Sequence, residues 1–132
     1  MFYDAVKNVH GFQFDPFKAI VVPRPIGWVS TLSAGGVANL APFSYFNAFS
    51  QSPHYVAFGS GPRKDSMANI EATGEFTFSL ATFDLREQMN ATSAHVTADE
   101  FELAGLTKAP SQTFGGWAKA AGGENCYVDL SG

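Results

Sequence analysis

The stretch GWVSTLSAGGVANLA, Gly27 to Ala41, carries the pattern that decides the fold. Trp28, Val29 and Leu32 mix with hydroxyl residues from Gly27 to Ser33, which predicts a strand. Ala34-Gly35-Gly36 then reads as a hairpin turn, because glycine supplies positive φ without steric cost, and Val37 to Ala41 returns as the partner strand. Upstream, Lys18 to Val22 is a short β-branched run closed by Pro23, and it predicts another strand. Downstream, Phe43 to Ser50 only partly alternates. Tyr55 to Gly59 reads as a strand, and Phe76 to Leu80 alternates cleanly.

Short helices punctuate these strands. Asp65 or Ser66 is expected to cap a turn that carries Met67 and Ile70 and stops at Gly74. Asp84 with Glu87 has the spacing of a capping box ahead of Met89. Thr97 to Ala104 repeats the pattern, with Phe101 and Leu103 expected inside and Gly105 as the stop. This order predicts a mainly β fold, a small β-barrel with short helices filling its openings. It does not fit a regular βαβ alternation.

Working outward to the whole chain, 132 residues argue for a single domain spanning 1–132. With 45% hydrophobic and 15% charged residues, the composition argues against a disordered chain or a solvated acidic tail. A net charge of −4 excludes bulk attraction to nucleic acid or anionic lipid. Pro, Gly, Asn and Ser interrupt the uncharged stretch between Pro25 and Arg63, so it is no membrane span. The N-terminus lacks the pattern of a secretion signal, and a cytoplasmic protein is expected. Residues 111–132 differ from the rest, interrupted by Gly115-Gly116 and Gly122-Gly123, with only Asn125 to Leu130 strand-like. An atypical tail is expected there, poorly ordered, truncated or contributing a late strand.

The clearest chemical signal is Gly59-Ser60-Gly61-Pro62-Arg63-Lys64-Asp65-Ser66. It follows a strand, holds two adjacent cations and runs into a helix start, a combination suited to a phosphate monoester. The same residues also read as an ordinary surface turn. Asn39 to Asn47 sets two amides and Ser44 among aromatics, which suits the polar edge and the faces of a planar heterocycle. Taken alone, it reads better as a half-buried strand satisfying neighbouring backbone. In Arg24 to Thr31, Ser30 and Thr31 can hold a phosphate or ribityl chain, or cross-pair within a sheet.

His10, His54 and His95 share no metal-ligand spacing, and Cys126 has no second thiol for a disulfide or a zinc site. No metal site is expected. His54, after Pro53 at a strand start, reads as a structural histidine. Cys126 has no basic neighbour to activate it. Asp99, Glu100 and Glu102 read as a solvated helix face, and the 13 Phe as barrel core.

Arg24 to Thr31 (RPIGWVST), Asn39 to Asn47 (NLAPFSYFN), the Arg63-Lys64-Asp65-Ser66 step and Asn90-Ala91-Thr92-Ser93 follow one another as in flavin reductase-like proteins. The chain resembles that family over about residues 15 to 110, and the resemblance fades after Pro110. It implies an FMN-binding split barrel, incomplete at the C-terminus here, and a homodimer with the flavin near the subunit interface. Lys64-Asp65-Ser66 stands where the family has a Lys-Asp-Thr phosphate step. The implied cofactor contacts are Ser30, Thr31, Asn39, Ala41, Pro42, Ser44, Phe46, Asn47, Ser60, Arg63, Lys64, Asp65 and Ser66. The implied activity is NAD(P)H-dependent reduction of flavin, acting on small redox substrates, with the chemistry carried by FMN and no catalytic side chain. A flavin-binding electron carrier is the alternative, as is a truncated relative that binds no flavin. Asn90 to His95 is expected to reach a neighbour's cofactor, whereas an approach of His54 to flavin or nicotinamide is the weaker reading beside its structural one.

Overall fold

The computed structural model describes residues 4, 6–61, 63–94 and 99–108. Its centre is the predicted hairpin. Strands β1 (Gly27–Leu32) and β2 (Ala38–Phe43) pair antiparallel, with Gly27 opposite Phe43 and Thr31 opposite Asn39. The turn closes through a Ser33 N–H bond to the Val37 carbonyl and a Gly36 N–H bond to the Ser33 carbonyl, both 2.9 Å. Gly36 takes φ 79°, the left-handed residue that a three-residue hairpin loop requires. Pro42 is tolerated inside β2 because that strand lies at a sheet edge.

Strand β5 (Thr77–Leu80) adds to the other side of β1, giving the order β2-β1-β5. A second sheet holds only β3 (Phe46–Gln51) and β4 (His54–Phe58), paired antiparallel with a bulge between Ala48 and Ser50. Among the described residues the two sheets do not close into a barrel. They meet where the Phe46 ring lies on Gly27, so tightly that a Cβ at Gly27 would overlap it. Phe46 also packs on Phe78, ring centroids 5.1 Å apart.

The core is Val29, Phe43, Ile70 and Phe76, flanked by Ala41, Val56, Phe58 and Phe78. Ile70 comes from helix α2 (Asp65–Thr73), which ends at Gly74 with φ 79°. The inward face of α2 is otherwise polar, because Ser66 and Asn69 are buried beside Ile70. Such a face is stable only where each polar group finds a partner. Asn69 Nδ2 donates to Thr31 Oγ1 at 3.0 Å, and Asn39 Nδ2 donates to Ser66 Oγ at 2.8 Å.

Several expectations are corrected. Lys18 to Val22 is not a strand, because helix α1 spans Pro16–Ile20. Asp15 caps it by accepting from the Phe17 N–H, and Pro16 presets the first helical φ, which together override the β-branched run. Helix α2 is not capped by Asp65 or Ser66; its N-cap is Lys64, with no side-chain cap bond, and Ser66 instead points into the buried network. The Asp84–Glu87 capping box does not form. A 3-10 turn (Phe83–Leu85) leads directly into α3 (Arg86–Ala91), leaving no free N-terminus for Asp84 to cap. Helix α4 is Glu100–Leu103, capped by Asp99 and stopped at Gly105. Leu103 is exposed rather than inside.

The Phe residues divide. Phe43 and Phe76 are buried, whereas Phe12, Phe14, Phe17, Phe49 and Phe83 are exposed. The tail at 111–132, Cys126 and His95 lie outside the described residues.

Candidate functional site

A cavity of about 470 Å³ opens where β2, the start of α2 and the end of α3 converge. Asn39, Ala41, Pro42 and Phe43 of β2 form its floor, and Ser44 and Tyr45 of the β2–β3 turn form one rim. The Gly59 N–H donates to the Tyr45 carbonyl at 2.7 Å, which brings the glycine loop after β4 against that rim. Phe17 stacks on Tyr45, ring centroids 6.5 Å apart, and the Arg24 guanidinium sits 5.4 Å from the same ring. Arg24 Nη1 donates to the Lys18 and Val21 carbonyls, both at 2.8 Å, and so ties the end of α1 to this rim.

The opposite wall is the turn that follows α3, with Thr92, Ser93 and Ala94. Trp28 holds it: its indole N–H donates to Thr92 Oγ1 at 2.9 Å, and Thr92 donates in turn to the Met89 carbonyl at 2.8 Å. Lys64, Asp65 and Ser66 line the third side, at the start of α2. The first turn of this nine-residue helix has N–H groups without intrahelical acceptors and carries partial positive charge. Lys64 is the cation that lines the cavity, and Asp65 and Glu100 are its carboxylates. Beside α4, Asp99 accepts from Lys108, and that hydrogen bond with the Phe101 and Glu102 N–H bonds outweighs desolvation to hold its carboxyl below the usual range.

Seven of the residues predicted from sequence meet at this cavity: Asn39, Ala41, Pro42, Ser44, Lys64, Asp65 and Ser66. The others stand apart from it. Ser30 lies half-buried on β1, and Thr31 is buried in the network behind Asn39. Phe46 covers Gly27, and Asn47 is exposed on β3, where its side chain accepts from the Ala48 N–H. Ser60 is not among the lining residues. Arg63 is turned along α2 and pairs with Glu71. Phe43, Tyr45, Gly59, Gly61, Thr92, Ser93, Ala94 and Glu100 complete the lining without being among the implied cofactor contacts. The segments Asn39–Asn47, Gly59–Ser66 and Asn90–His95 already held the signal for all of them but Glu100, which reads in sequence as part of a solvated helix face.

The model of the flavin reductase-like domain family matches residues 19–123. The chain belongs to that family. The match runs past Pro110, beyond the stretch where the sequence motifs themselves are recognisable. A Deinococcus radiodurans protein of uncharacterized function is 42% identical over 121 residues, covering 83% of this chain and 53% of its own length. Nitrilotriacetate monooxygenase component B from Bacillus cereus superposes with a TM-score of 0.70 at 28% identity, covering 85% of this chain and 58% of that one. A flavin reductase with a split barrel domain from Shewanella frigidimarina gives a TM-score of 0.62 at 27% identity, over 67% and 46% of the two chains. The fold is therefore that of the split barrel, here as two open sheets. The chain spans about half the length of the relatives it matches.

Among the described residues no helix is long and apolar enough to cross a membrane, and no three His, Cys, Asp or Glu stand together as metal ligands.

Proposed function

We propose that this chain binds FMN in the cavity between β2, α2 and α3 and serves as a flavin-dependent oxidoreductase. The observation that carries the reading is the convergence, in a member of this family, of Lys64, the start of α2 and the Ser66 hydroxyl on one side of an aromatic-rimmed cavity. A volume of about 470 Å³ falls in the range of small-molecule sites. The lining also suits the parts of FMN. Lys64 and the α2 N–H groups match a phosphate, Ser44, Thr92 and Ser93 match a polyol, and Phe43, Tyr45 and Pro42 match a planar ring.

Held by Lys64, Ser66 and the α2 N–H groups, a bound flavin would supply two-electron redox chemistry between NAD(P)H and a small acceptor. The protein's part is to bind, orient and shield. Lys64 offsets phosphate charge, Trp28 fixes the α3 wall through Thr92, and the Phe17–Tyr45–Arg24 stack limits water at the rim. The exposed phenylalanines support a homodimer.

Arg63 and Lys64 are adjacent in sequence but play unequal parts in this reading. Lys64→Ala is expected to weaken FMN by about 1.5–3 kcal/mol and to leave riboflavin nearly unchanged. Arg63→Ala, which removes an exposed partner of Glu71, should change either ligand by less than about 0.5 kcal/mol. Fluorescence titration of both flavins checks this, and equal losses of FMN and riboflavin in Lys64→Ala would place the phosphate elsewhere. Bleaching of the flavin absorbance by NADH or NADPH in stopped flow tests the donor; a flavoprotein that neither reduces would be an electron carrier.

A further inference from the structure

The hydroxyls around the cavity differ in what they have left to give. Thr92 has its proton committed, accepting from Trp28 and donating to the Met89 carbonyl. Ser93 donates to the Asn90 carbonyl at 2.6 Å. Ser66 is different: only 2% exposed, it accepts from Asn39 Nδ2 at 2.8 Å. Among the described residues nothing accepts its own proton. A hydroxyl that receives one hydrogen bond sends its proton in another direction, and for Ser66 the remaining direction is the cavity that it lines.

What holds Asn39 in this sense lies outside the cavity. Its Nδ2 also reaches Thr31 Oγ1, directly across the β1–β2 register, at a longer 3.4 Å. Thr31 Oγ1 takes a second amide N–H from Asn69 at 3.0 Å. Thr31 and Asn69 are both buried, and neither touches the cavity. Both N–H bonds of Asn39 therefore end on hydroxyl oxygens. A reversed Asn39 amide would set its carbonyl oxygen against Ser66 and draw the serine proton away from the ligand.

We propose that Thr31 and Asn69 are positioning residues for phosphate recognition. They fix the Asn39 amide so that Ser66 turns its proton, not a lone pair, toward an anion beside Lys64. This moves Thr31 from the contacts to the support behind them, and it gives Asn69 a part in the site. The inference rests on the phosphate reading of the preceding section.

The test uses the full chain titrated with FMN and with riboflavin, and thermal unfolding as a control. Thr31→Val keeps the shape and removes the hydroxyl. It is expected to weaken FMN about five- to tenfold while riboflavin stays within about twofold, and Thr31→Ser should restore most of the loss. In a Ser66→Ala background Thr31→Val should have no further effect on FMN. Asn69→Ala, compatible with a helix, should give a smaller loss with the same preference, and it carries the test if Thr31→Val does not fold. Equal losses of both flavins, or a Thr31→Val effect that persists without the Ser66 hydroxyl, overturns the positioning role. If Ser66→Ala lowers FMN binding but Thr31→Val and Asn69→Ala do not, only this inference fails. If Ser66→Ala itself leaves the ratio of FMN to riboflavin affinity unchanged, the phosphate reading fails first and takes the inference with it.

Discussion

The contact of α2 with β1 and β2 and the N-terminal segment from residue 6 to 24 invert each other's chemistry. The first buries Ser66, Asn69, Thr31 and Asn39, whereas the second exposes Val6, Val9, Phe14, Phe17 and Ile20. Polarity alone assigns both regions to the wrong place. The difference lies in partners. Each buried polar side chain under α2 has a hydrogen-bonding neighbour on another element, so its desolvation is offset. The N-terminal segment is too short to cover its own apolar side chains, and the Arg24 and Phe17 contacts with Tyr45 tie it to the cavity rim. The consequence is a rigid floor under the cavity and an apolar flank beside it.

The largest expected effect sets these two regions against each other. Ile70→Ala, which empties the centre of the core, should destabilise the chain by about 2–5 kcal/mol in urea unfolding. Phe14→Ser should change the stability of a single copy by less than about 0.5 kcal/mol. If the apolar flank is a contact between copies, the same substitution should shift sedimentation toward the monomer. An unchanged sedimentation profile would leave that flank unassigned to the dimer.

A smaller effect probes the seam between the sheets. Gly27→Ala forces a methyl group into the Phe46 ring and should cost about 1–3 kcal/mol, much of it recovered when Phe46→Leu is combined with it. Additive losses would mean that the ring moves aside freely and that the seam is loose.

The smallest effect is electrostatic and local to α4. The folded Asp99 carboxyl titrates below its usual range because it accepts from Lys108 and from two backbone N–H groups. Its contribution is therefore fully present above the ordinary carboxylate pKa and is lost as pH falls through the lowered one. Backbone amides of Phe101 and Glu102 should lose exchange protection only below about pH 4, and Asp99→Ala should remove that pH dependence at once. Protection that fades already near neutrality would point to another group.

The legible parts of the fold were those set by local backbone chemistry. Gly36 at φ 79° and Gly74 at φ 79° mark the hairpin turn and the end of α2, and both are visible as glycine positions in the sequence. Lys18 to Val22 misled because its β-branched residues speak for a strand, whereas one cap at Asp15 and a proline after it settle the matter. The inward face of α2 was hidden for a different reason. Ser66 and Asn69 carry no hydrophobic periodicity, and their burial depends on partners from β2 and β1 that lie about thirty residues away in sequence. In the site, the three motifs located the neighbourhood but not the direction of each side chain. Arg63 and Lys64 look equivalent in sequence, and only the pairing of Arg63 with Glu71 further along α2 separates them.

Strand β1 takes one partner from its immediate neighbour in sequence and the other from far along the chain. Thr31 meets Asn39 across a short loop, whereas Val29 meets Phe78 only after β2, β3, β4 and α2 have been laid down between them. Closing the second pairing costs more chain entropy than closing the first, and it cannot be repaid until Ile70 and Phe76 reach the sheet together. The β1–β2 and β3–β4 hairpins are therefore expected to form early and independently in refolding, with arrival of α2 and β5 as the slow, cooperative event. Since Lys64 and Ser66 travel with α2, the cavity would come into being only at that last step.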